Sequence, residues 1–306
     1  MNEVICDWID VTYSPEDSTL DDVSLFLDSQ GFHVSHRSDE DSKFQSEVWR
    51  STNNGTLRLS RDFKCHRVSC SGRVLESLRS RDLLDVFYTL LSGAPYQVTR
   101  LDCALDIDED GATHVASMLC RYPESCRLTR KAVRTNWIMQ TRADGIQSGT
   151  FYVGNRRSGG VTARVYDKQL QLLDVHGEYI PPRVRYEVTV KKTLPITLRD
   201  ASQPTTLFWH LASPSLLSRP PSVHNWEPSS PDDLGWTCPM PEILPFETLQ
   251  RRVESSPDVE RLIELSDTLG PSGRLQLLRL LEKRLNATPT SSSHDQPEVT
   301  PGPRAA

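Results

Sequence analysis

Several motifs that would assign a function directly are missing from this chain of 306 residues. No apolar run approaches the roughly 20 residues that a membrane-spanning helix needs. The seven cysteines form no C-x-x-C pair, which disfavours a zinc site and a secreted disulfide framework. No P-loop motif of the form G-x-x-x-x-G-K-[ST] is present. The first ten residues also lack the pattern of a signal peptide, so we expect a cytoplasmic protein.

The charge of the chain is unevenly distributed, although its net value is only −6. Residues 1–50 contain 12 acidic and three basic side chains, whereas residues 119–172 contain ten basic and three acidic ones. A basic middle segment is typical of a surface that binds a polyanion such as DNA. The same distribution also fits solvated charge that happens to be segregated.

Apolar periodicity and turn residues predict an α+β fold with antiparallel sheets, packed helices and a helical C-terminal region. No internal repeat is strong enough to claim, so two similar RRM-like halves are one arrangement among those left open. Asn54-Gly55 between alternating segments predicts a hairpin. Residues 73–93 read as one helix. The chain divides into an N-terminal α+β region (1–95), a strand-rich catalytic core (96–194), a Pro-rich irregular segment (195–256), two C-terminal helices (257–286) and a disordered tail (287–306).

Period-two alternation marks the strands of the central region. In QVTRLDCALDID, the apolar residues alternate with a polar set, so that one face of a strand carries carboxylates. Three later stretches, FYVGNRRSGG, TARVYDKQ and RVRYEVTV, alternate in the same way. If these strands are neighbours, their polar faces form one patch, whose members are Arg100, Asp102, Asp106, Tyr152, Arg164, Tyr166, Lys168, Arg185 and Glu187.

Such a patch has a coherent chemical use. Asp102, Asp106 and Glu187 are hard oxygen ligands that suit Mg²⁺ or Mn²⁺, which in turn bind phosphate oxygens. The cations on the same face, Arg164, Lys168 and Arg185, would neutralise charge on phosphorus. They would also favour the phenolate of Tyr166, a group that is a poor nucleophile when protonated. Each residue also has a plainer interpretation, as a solvent-facing carboxylate or an ordinary strand aromatic.

Four motifs in this order, R-x-D-x-x-x-D at Arg100, FYVGNRRSG, ARVYDK and RVRYEVTV, resemble the replication initiation factors of rolling-circle plasmids and filamentous phages, the Rep-trans family. The resemblance covers about residues 60–195. It implies an enzyme that nicks one strand of a double-strand origin through a tyrosine, with a divalent metal, Mg²⁺ or Mn²⁺, as cofactor. The tyrosine stays linked to the 5′ phosphate, and the free 3′ hydroxyl primes synthesis.

The resemblance also assigns roles and partners. It implies that Tyr166 is the nucleophile, that Arg164, Lys168 and Arg185 assist it, and that Asp102 and Glu187, with Asp106 behind them, hold the metal. We expect Arg100 and the basic-loop residues Arg156 and Arg157 to contact DNA. The partners would be the double-strand origin, the nicked single strand and a host helicase, in the cytoplasm of a bacterial host, with homodimerisation left open.

Other functional classes fit the sequence less well. The eight histidines include no H-x-H, the metal motif of the other large class of rolling-circle initiators. A tyrosine recombinase needs an H-x-x-R upstream of its nucleophile, and none is found. A water-using metal nuclease typically has an acidic-x-Lys step on its second strand, whereas Glu187 is followed by Val188 and Thr189. A non-catalytic DNA-binding regulator on the same fold remains the alternative. The chain departs from the family at Pro181-Pro182, where many members have a tryptophan.

Overall fold

The structure is a computed structural model that describes residues 3–38, 45–121, 135–141, 145, 147–155, 160–191, 194–213 and 215–228. These residues form ten strands and seven helices. In chain order the elements are β1 (Val4–Tyr13), α1 (Thr19–Ser29), β2 (His33–Arg37), β3 (Gln45–Arg50), β4 (Thr56–Arg61), β5 (His66–Ser71), α2 (Gly72–Arg79), α3 (Leu84–Leu91), β6 (Tyr96–Ile107), α4 (Gly111–Arg121), β7 (Thr135–Thr141), β8 (Gln147–Val153), β9 (Val161–Asp167), α5 (Lys168–His176), β10 (Val184–Lys191), α6 (Leu198–Ser202) and α7 (Thr205–Ala212).

All ten strands belong to one sheet of order β2-β3-β4-β5-β1-β6-β10-β9-β8-β7, and each pairing is antiparallel. The sheet consists of two halves with the same connectivity, joined where β1 pairs with β6. In each half an opening strand and a helix are followed by a meander whose last strand pairs with the opening strand. The α+β prediction with two similar halves is therefore confirmed, with five strands in each half against the four of an RRM sheet.

The hydrophobic core lies between one face of this sheet and the helices. Alternate residues of β1, β6 and β10 supply the sheet side of the core, among them Ile9, Leu101 and Val188. Leu27 of α1, Leu78 of α2 and Phe208 of α7 pack against them. Because side chains of a strand alternate between faces, the residues between these apolar positions lie on the opposite face of the sheet. That opposite face carries the polar patch.

The hairpin prediction holds, whereas the single helix over residues 73–93 does not form. Arg50 of β3 pairs with Thr56 of β4, and Asn54 in the turn has a φ of 59°. Between α2 and α3 the chain adopts a left-handed conformation at Asp82, with a φ of 56°. The Leu83 amide then bonds back to the Leu78 carbonyl at 2.9 Å, which ends α2. The break turns α3 so that Phe87 is buried in the core.

Part of the segment predicted to be irregular is helical. A capping box at Thr197 and Asp200 starts α6, and α7 follows it directly. The buried Trp226 donates a hydrogen bond from Nε1 to Asp200 Oδ1 at 2.7 Å. Apolar residues of α7 thus pack on the sheet despite the prolines around them. The predicted helices at 257–286 and the tail at 287–306 lie outside the described residues.

None of the helices in the described part of the chain combines the length and the apolar character needed to cross a membrane.

Candidate active site

The strands that carry the predicted site residues are direct neighbours. On the polar face, β10 pairs with β6 on one side and with β9 on the other. Arg185 lies opposite Tyr166, and Glu187 lies opposite Arg164. This register places the predicted nucleophile and two of its predicted partners within one patch. The adjacency of these strands, which alternation alone does not establish, is therefore present.

Tyr166 is buried, with 6% of its surface exposed. Its hydroxyl donates a hydrogen bond to Glu187 Oε2 at 3.1 Å. The Arg164 guanidinium lies 5.0 Å from the centre of the phenol ring, and Lys168 Nζ lies 5.9 Å from it. The predicted bracketing by two cations is observed, but its basis differs from the prediction. Arg164 shares the face of β9 with Tyr166, whereas Lys168, predicted to continue that strand, is the first residue of α5.

The pKa of Tyr166 differs from the sequence-based expectation. Burial, together with the charge of Glu187, raises the pKa of the phenol well above its ordinary value, and Arg185 and Arg164 only partly oppose this. The cations therefore do not produce a phenolate in the protein alone. Arg185 and Arg164 act in the expected direction, but burial, which disfavours the charged form and was not weighed in the expectation, outweighs them.

Glu187 is the central acid of the patch and is 1% exposed. Arg164 Nη2 lies 2.7 Å from its Oε1 and donates a hydrogen bond to its Oε2 at 2.8 Å. Oε1 is fully buried and accepts no well-directed hydrogen bond from the described residues. Glu187 therefore accepts from both Tyr166 and Arg164 while one of its oxygens retains acceptor capacity.

Asp102 forms a second buried ion pair on the same face. Its two oxygens accept hydrogen bonds from Arg100 Nε at 2.9 Å and Nη2 at 2.5 Å. Burial raises the pKa of Asp102 to about 7 although Arg100 opposes the shift. The ring of Trp8, in β1, lies 5.0 Å from the Arg100 guanidinium. Arg100, predicted to contact DNA, is thus engaged with Asp102 and remains partly exposed.

Asp106 is engaged elsewhere. Its oxygens accept from Arg185 Nε at 2.5 Å and Nη2 at 2.7 Å. The third nitrogen, Nη1, donates to Asp7 Oδ1 of β1 at 2.6 Å. Asp7 was not among the residues predicted from the sequence. Its available signal was a carboxylate, one of two in β1, within the apolar pattern of an opening strand. Arg185 is therefore clamped between two acids from different halves.

Two cavities flank the patch. One, of about 170 Å³, is lined by side chains of the second half, namely Arg100, Tyr152, Thr162, Arg164, Glu187, Thr189 and Lys191. The other, of about 340 Å³, contains Lys168 and Arg185 together with residues of α2. Arg164 lines the first cavity and Lys168 the second, and both cations lie within 5.9 Å of the centre of the Tyr166 ring, so the phenol lies between the two cavities. Arg156 and Arg157 lie outside the described residues.

The carboxylates fit a divalent cation of the kind that keeps several waters. Within the described ranges no group of three or more His, Cys, Asp or Glu side chains is arranged for a metal. Asp102 and Glu187 nevertheless supply hard oxygens on adjacent strands, and Glu187 Oε1 has unused acceptor capacity. Mg²⁺ is commonly bound by one or two carboxylates, with water and phosphate completing its coordination. This pair is compatible with that mode of binding.

The raised pKa of Asp102 predicts a pH-dependent stability. An unfolded aspartate ionises near pH 4, whereas folded Asp102 keeps its proton up to about pH 7. Between these values the folded state binds more protons, so stability should fall as the pH rises. The measurement is the free energy of unfolding of wild type minus that of Asp102→Asn, both in EDTA. This difference should fall by on the order of a few kcal/mol from pH 4.5 to 8. The exposed Asp108, changed to Asn, is the control, and an unchanged difference would contradict the assignment.

Comparison with known proteins supports the resemblance that the motifs indicated. Residues 96–198 match the family model described as "Replication initiation factor", which confirms the Rep-trans resemblance over that segment. The match contains Asp102, Tyr166, Arg185 and Glu187 but not β1, which holds Asp7. The rolling circle replication initiator protein from Geobacillus stearothermophilus has 16% sequence identity and a TM-score of 0.46, over 69% of this chain and 85% of that one. No curated protein sequence matches the chain.

Proposed function

We propose that this chain, whose residues 96–198 match the replication initiation factors, initiates rolling-circle DNA replication by nicking one strand of an origin through Tyr166. The observation that carries the proposal is the environment of that phenol. Its hydroxyl donates to Glu187, and three cations surround it, namely Arg164 of β9, Arg185 of β10 and Lys168 at the start of α5. A buried phenol with an acceptor for its proton and cations for a phosphate is equipped for transesterification.

In the proposed reaction, the Tyr166 oxygen forms a bond to the scissile phosphorus while its proton passes to Glu187 Oε2, the atom that already accepts its hydrogen bond. The bond from phosphorus to the 3′ oxygen breaks. The products are a 5′-phosphotyrosine and a 3′ hydroxyl.

The leaving 3′ oxygen needs a proton, and Lys168 is suited to supply it. Burial, and then the charge of Arg185, lowers the pKa of Lys168 to about 8. An acid whose pKa lies near neutral transfers its proton more readily than an ordinary lysine. The Lys168 ammonium donates to Gln171 Oε1 at 2.8 Å and lies beside the Tyr166 ring. Arg164 and Arg185 would meanwhile hold the non-bridging oxygens.

Asp102 and Glu187 are the residues that would hold Mg²⁺ or Mn²⁺ in this proposal. When bound, such a cation neutralises the oxygens of the phosphate under attack. Arg185 engages both oxygens of Asp106, as Arg100 engages both oxygens of Asp102. Asp102 is nevertheless the stronger candidate, because the charge of Glu187, with which it would share the cation, acts on it. The DNA substrate would be the double-strand origin, with the nicked strand retained afterwards. A host helicase and a second copy of the chain are further partners to test, in the cytoplasm of a bacterial host.

A DNA-binding regulator without nicking activity is the second candidate. The burial of Tyr166 favours it, since a residue that is 6% exposed is shielded from a DNA phosphate in the protein alone. A regulator would bind DNA through the same basic surface without forming a covalent bond.

A covalent capture experiment separates the two candidates and identifies the origin sequence at the same time. The protein is incubated with Mg²⁺ and single-stranded oligonucleotides that carry a randomised core, and the SDS-resistant adducts are isolated and sequenced. We expect a single enriched sequence that is cleaved at one position, with loss of capture in EDTA. A supercoiled plasmid bearing the captured sequence should then be nicked. Binding without any adduct would contradict the proposal and favour a regulator.

A further inference from the structure

The Arg185 guanidinium is held by acids from both halves of the sheet. Asp106 of β6 engages Nε and Nη2, and Asp7 of β1 engages Nη1 at 2.6 Å. The Arg185 side chain is almost fully buried. A buried guanidinium has five N–H donors, so two carboxylates at different edges fix both its plane and its rotation. With Asp106 alone, the Nη1 group would lose its acceptor.

The first half of the chain is shaped to present Asp7 at this point. The register of β1 against β6 shifts between Cys6 and Trp8, which places a bulge at Asp7. Gly72, the first residue of α2, lies against it. A Cβ atom at Gly72 would lie 2.4 Å from Asp7 Oδ1 and 2.8 Å from the Asp7 carbonyl oxygen. A glycine at this position therefore leaves the space that the Asp7 carboxylate occupies.

We propose that Asp7 is a positioning residue of the active site, which holds Arg185 beside Tyr166 from a strand outside the segment that matches the family. This inference rests on the proposed nicking function. Arg185 lies opposite Tyr166 in the register, so a rotation of its guanidinium would displace one of the cations that receive the phosphate. A misplacement of about 1 Å in such a group is enough to cost on the order of 100-fold in rate.

A purely structural role for Asp7 makes a different prediction. In that case Asp7 would only neutralise a buried charge, and its loss would lower stability without a specific effect on the chemical step. A positioning role instead predicts a lower kcat, little change in KM and recovery with a carboxylate one methylene longer. Loss of an interaction made only in the transition state lowers kcat in this way.

The test uses the full chain and the oligonucleotide obtained by covalent capture. Asp7→Asn should reduce the kcat for adduct formation on the order of 100-fold, with KM within about threefold. Asp7→Glu should recover a substantial part of the rate. Asp108→Asn is the matched control, because Asp108 also pairs with an arginine of this region, Arg183, but its side chain is exposed. It should react like wild type.

Two further measurements distinguish a positioning effect from a folding defect. Gly72→Ala should displace Asp7 by steric contact and reproduce the kinetic effect, whereas Gly93→Ala, whose added Cβ would meet only the Leu90 carbonyl at 3.2 Å, should not. In an Arg185→Lys background, Asp7→Asn should also have little further effect on kcat, because the guanidinium that Asp7 positions is already gone. If wild type forms adducts and the Asp7 and Gly72 variants match their controls, this inference alone is wrong. If wild type forms none, the proposed function itself fails.

Discussion

Replacing Tyr166 with phenylalanine should abolish covalent attachment and nicking. The change removes the one oxygen that donates to Glu187 at this site and leaves the buried ring between Arg164 and Lys168. We expect adduct formation to fall below detection, since no water or side chain replaces a nucleophile in a transesterification that retains the phosphate on the protein. The measurement is the yield of SDS-resistant adduct with the captured oligonucleotide, beside the affinity for the same DNA, which should be retained.

Tyr152→Phe is the matched control for this prediction. Tyr152 lines the smaller cavity and lies opposite Arg164 in the register, so it faces the same surface. It lacks the two flanking cations at i±2, where it has Thr150 and Gly154. The variant should keep adduct formation within about tenfold of wild type. Full activity of Tyr166→Phe, or complete loss in Tyr152→Phe alone, would contradict the assignment of the nucleophile.

Glu187→Gln should produce the second largest loss. Glu187 accepts the hydrogen bond of the phenol, pairs with Arg164 and has the buried oxygen that would hold a cation. An amide of the same shape neither takes a proton nor binds a hard cation well, so we expect nicking to fall by on the order of 10²–10⁴-fold. Single-turnover adduct formation at saturating Mg²⁺ gives the rate.

This variant also leaves the Arg164 charge without its acid, so its stability must be measured in parallel. Loss of one partner of a buried ion pair typically costs about 3–5 kcal/mol. Glu16→Gln, on an exposed residue, is the control for the substitution itself. A folded Glu187→Gln protein that nicks at the wild-type rate would remove Glu187 from the mechanism, whatever its effect on stability.

The polar face of the site was predictable from the sequence because strand geometry requires it. Alternation in RLDCALD and ARVY assigns Asp102, Arg164 and Tyr166 to faces whatever the surrounding fold, whereas Lys168, predicted to continue the strand, begins α5. The pairing of β6 with β10 and of β10 with β9 was not predictable in this way, since register depends on contacts between residues far apart in the chain. In the sequence, the adjacency of these strands was indicated only by the resemblance of the four ordered motifs to the Rep-trans family.

The features that escaped prediction depend on tertiary packing. Asp7 belongs to β1 and reaches Arg185 of β10 only because the two halves join through β1 and β6. The direction of the Tyr166 pKa shift depends on burial, which an alternating pattern does not quantify. The break at Asp82 between α2 and α3 lies in a stretch whose apolar spacing is helical throughout, so that only the left-handed residue interrupts it.

The central claim is that the Tyr166 oxygen becomes bonded to DNA, and peptide mapping of the trapped adduct tests it most directly. The adduct formed with the captured oligonucleotide is digested with nuclease and protease, and the peptides that carry a nucleotide are sequenced by mass spectrometry. We predict one modified peptide, with the nucleotide 5′ phosphate on Tyr166. A nucleotide on the peptide that contains Tyr152, or on any residue other than Tyr166, would contradict the account.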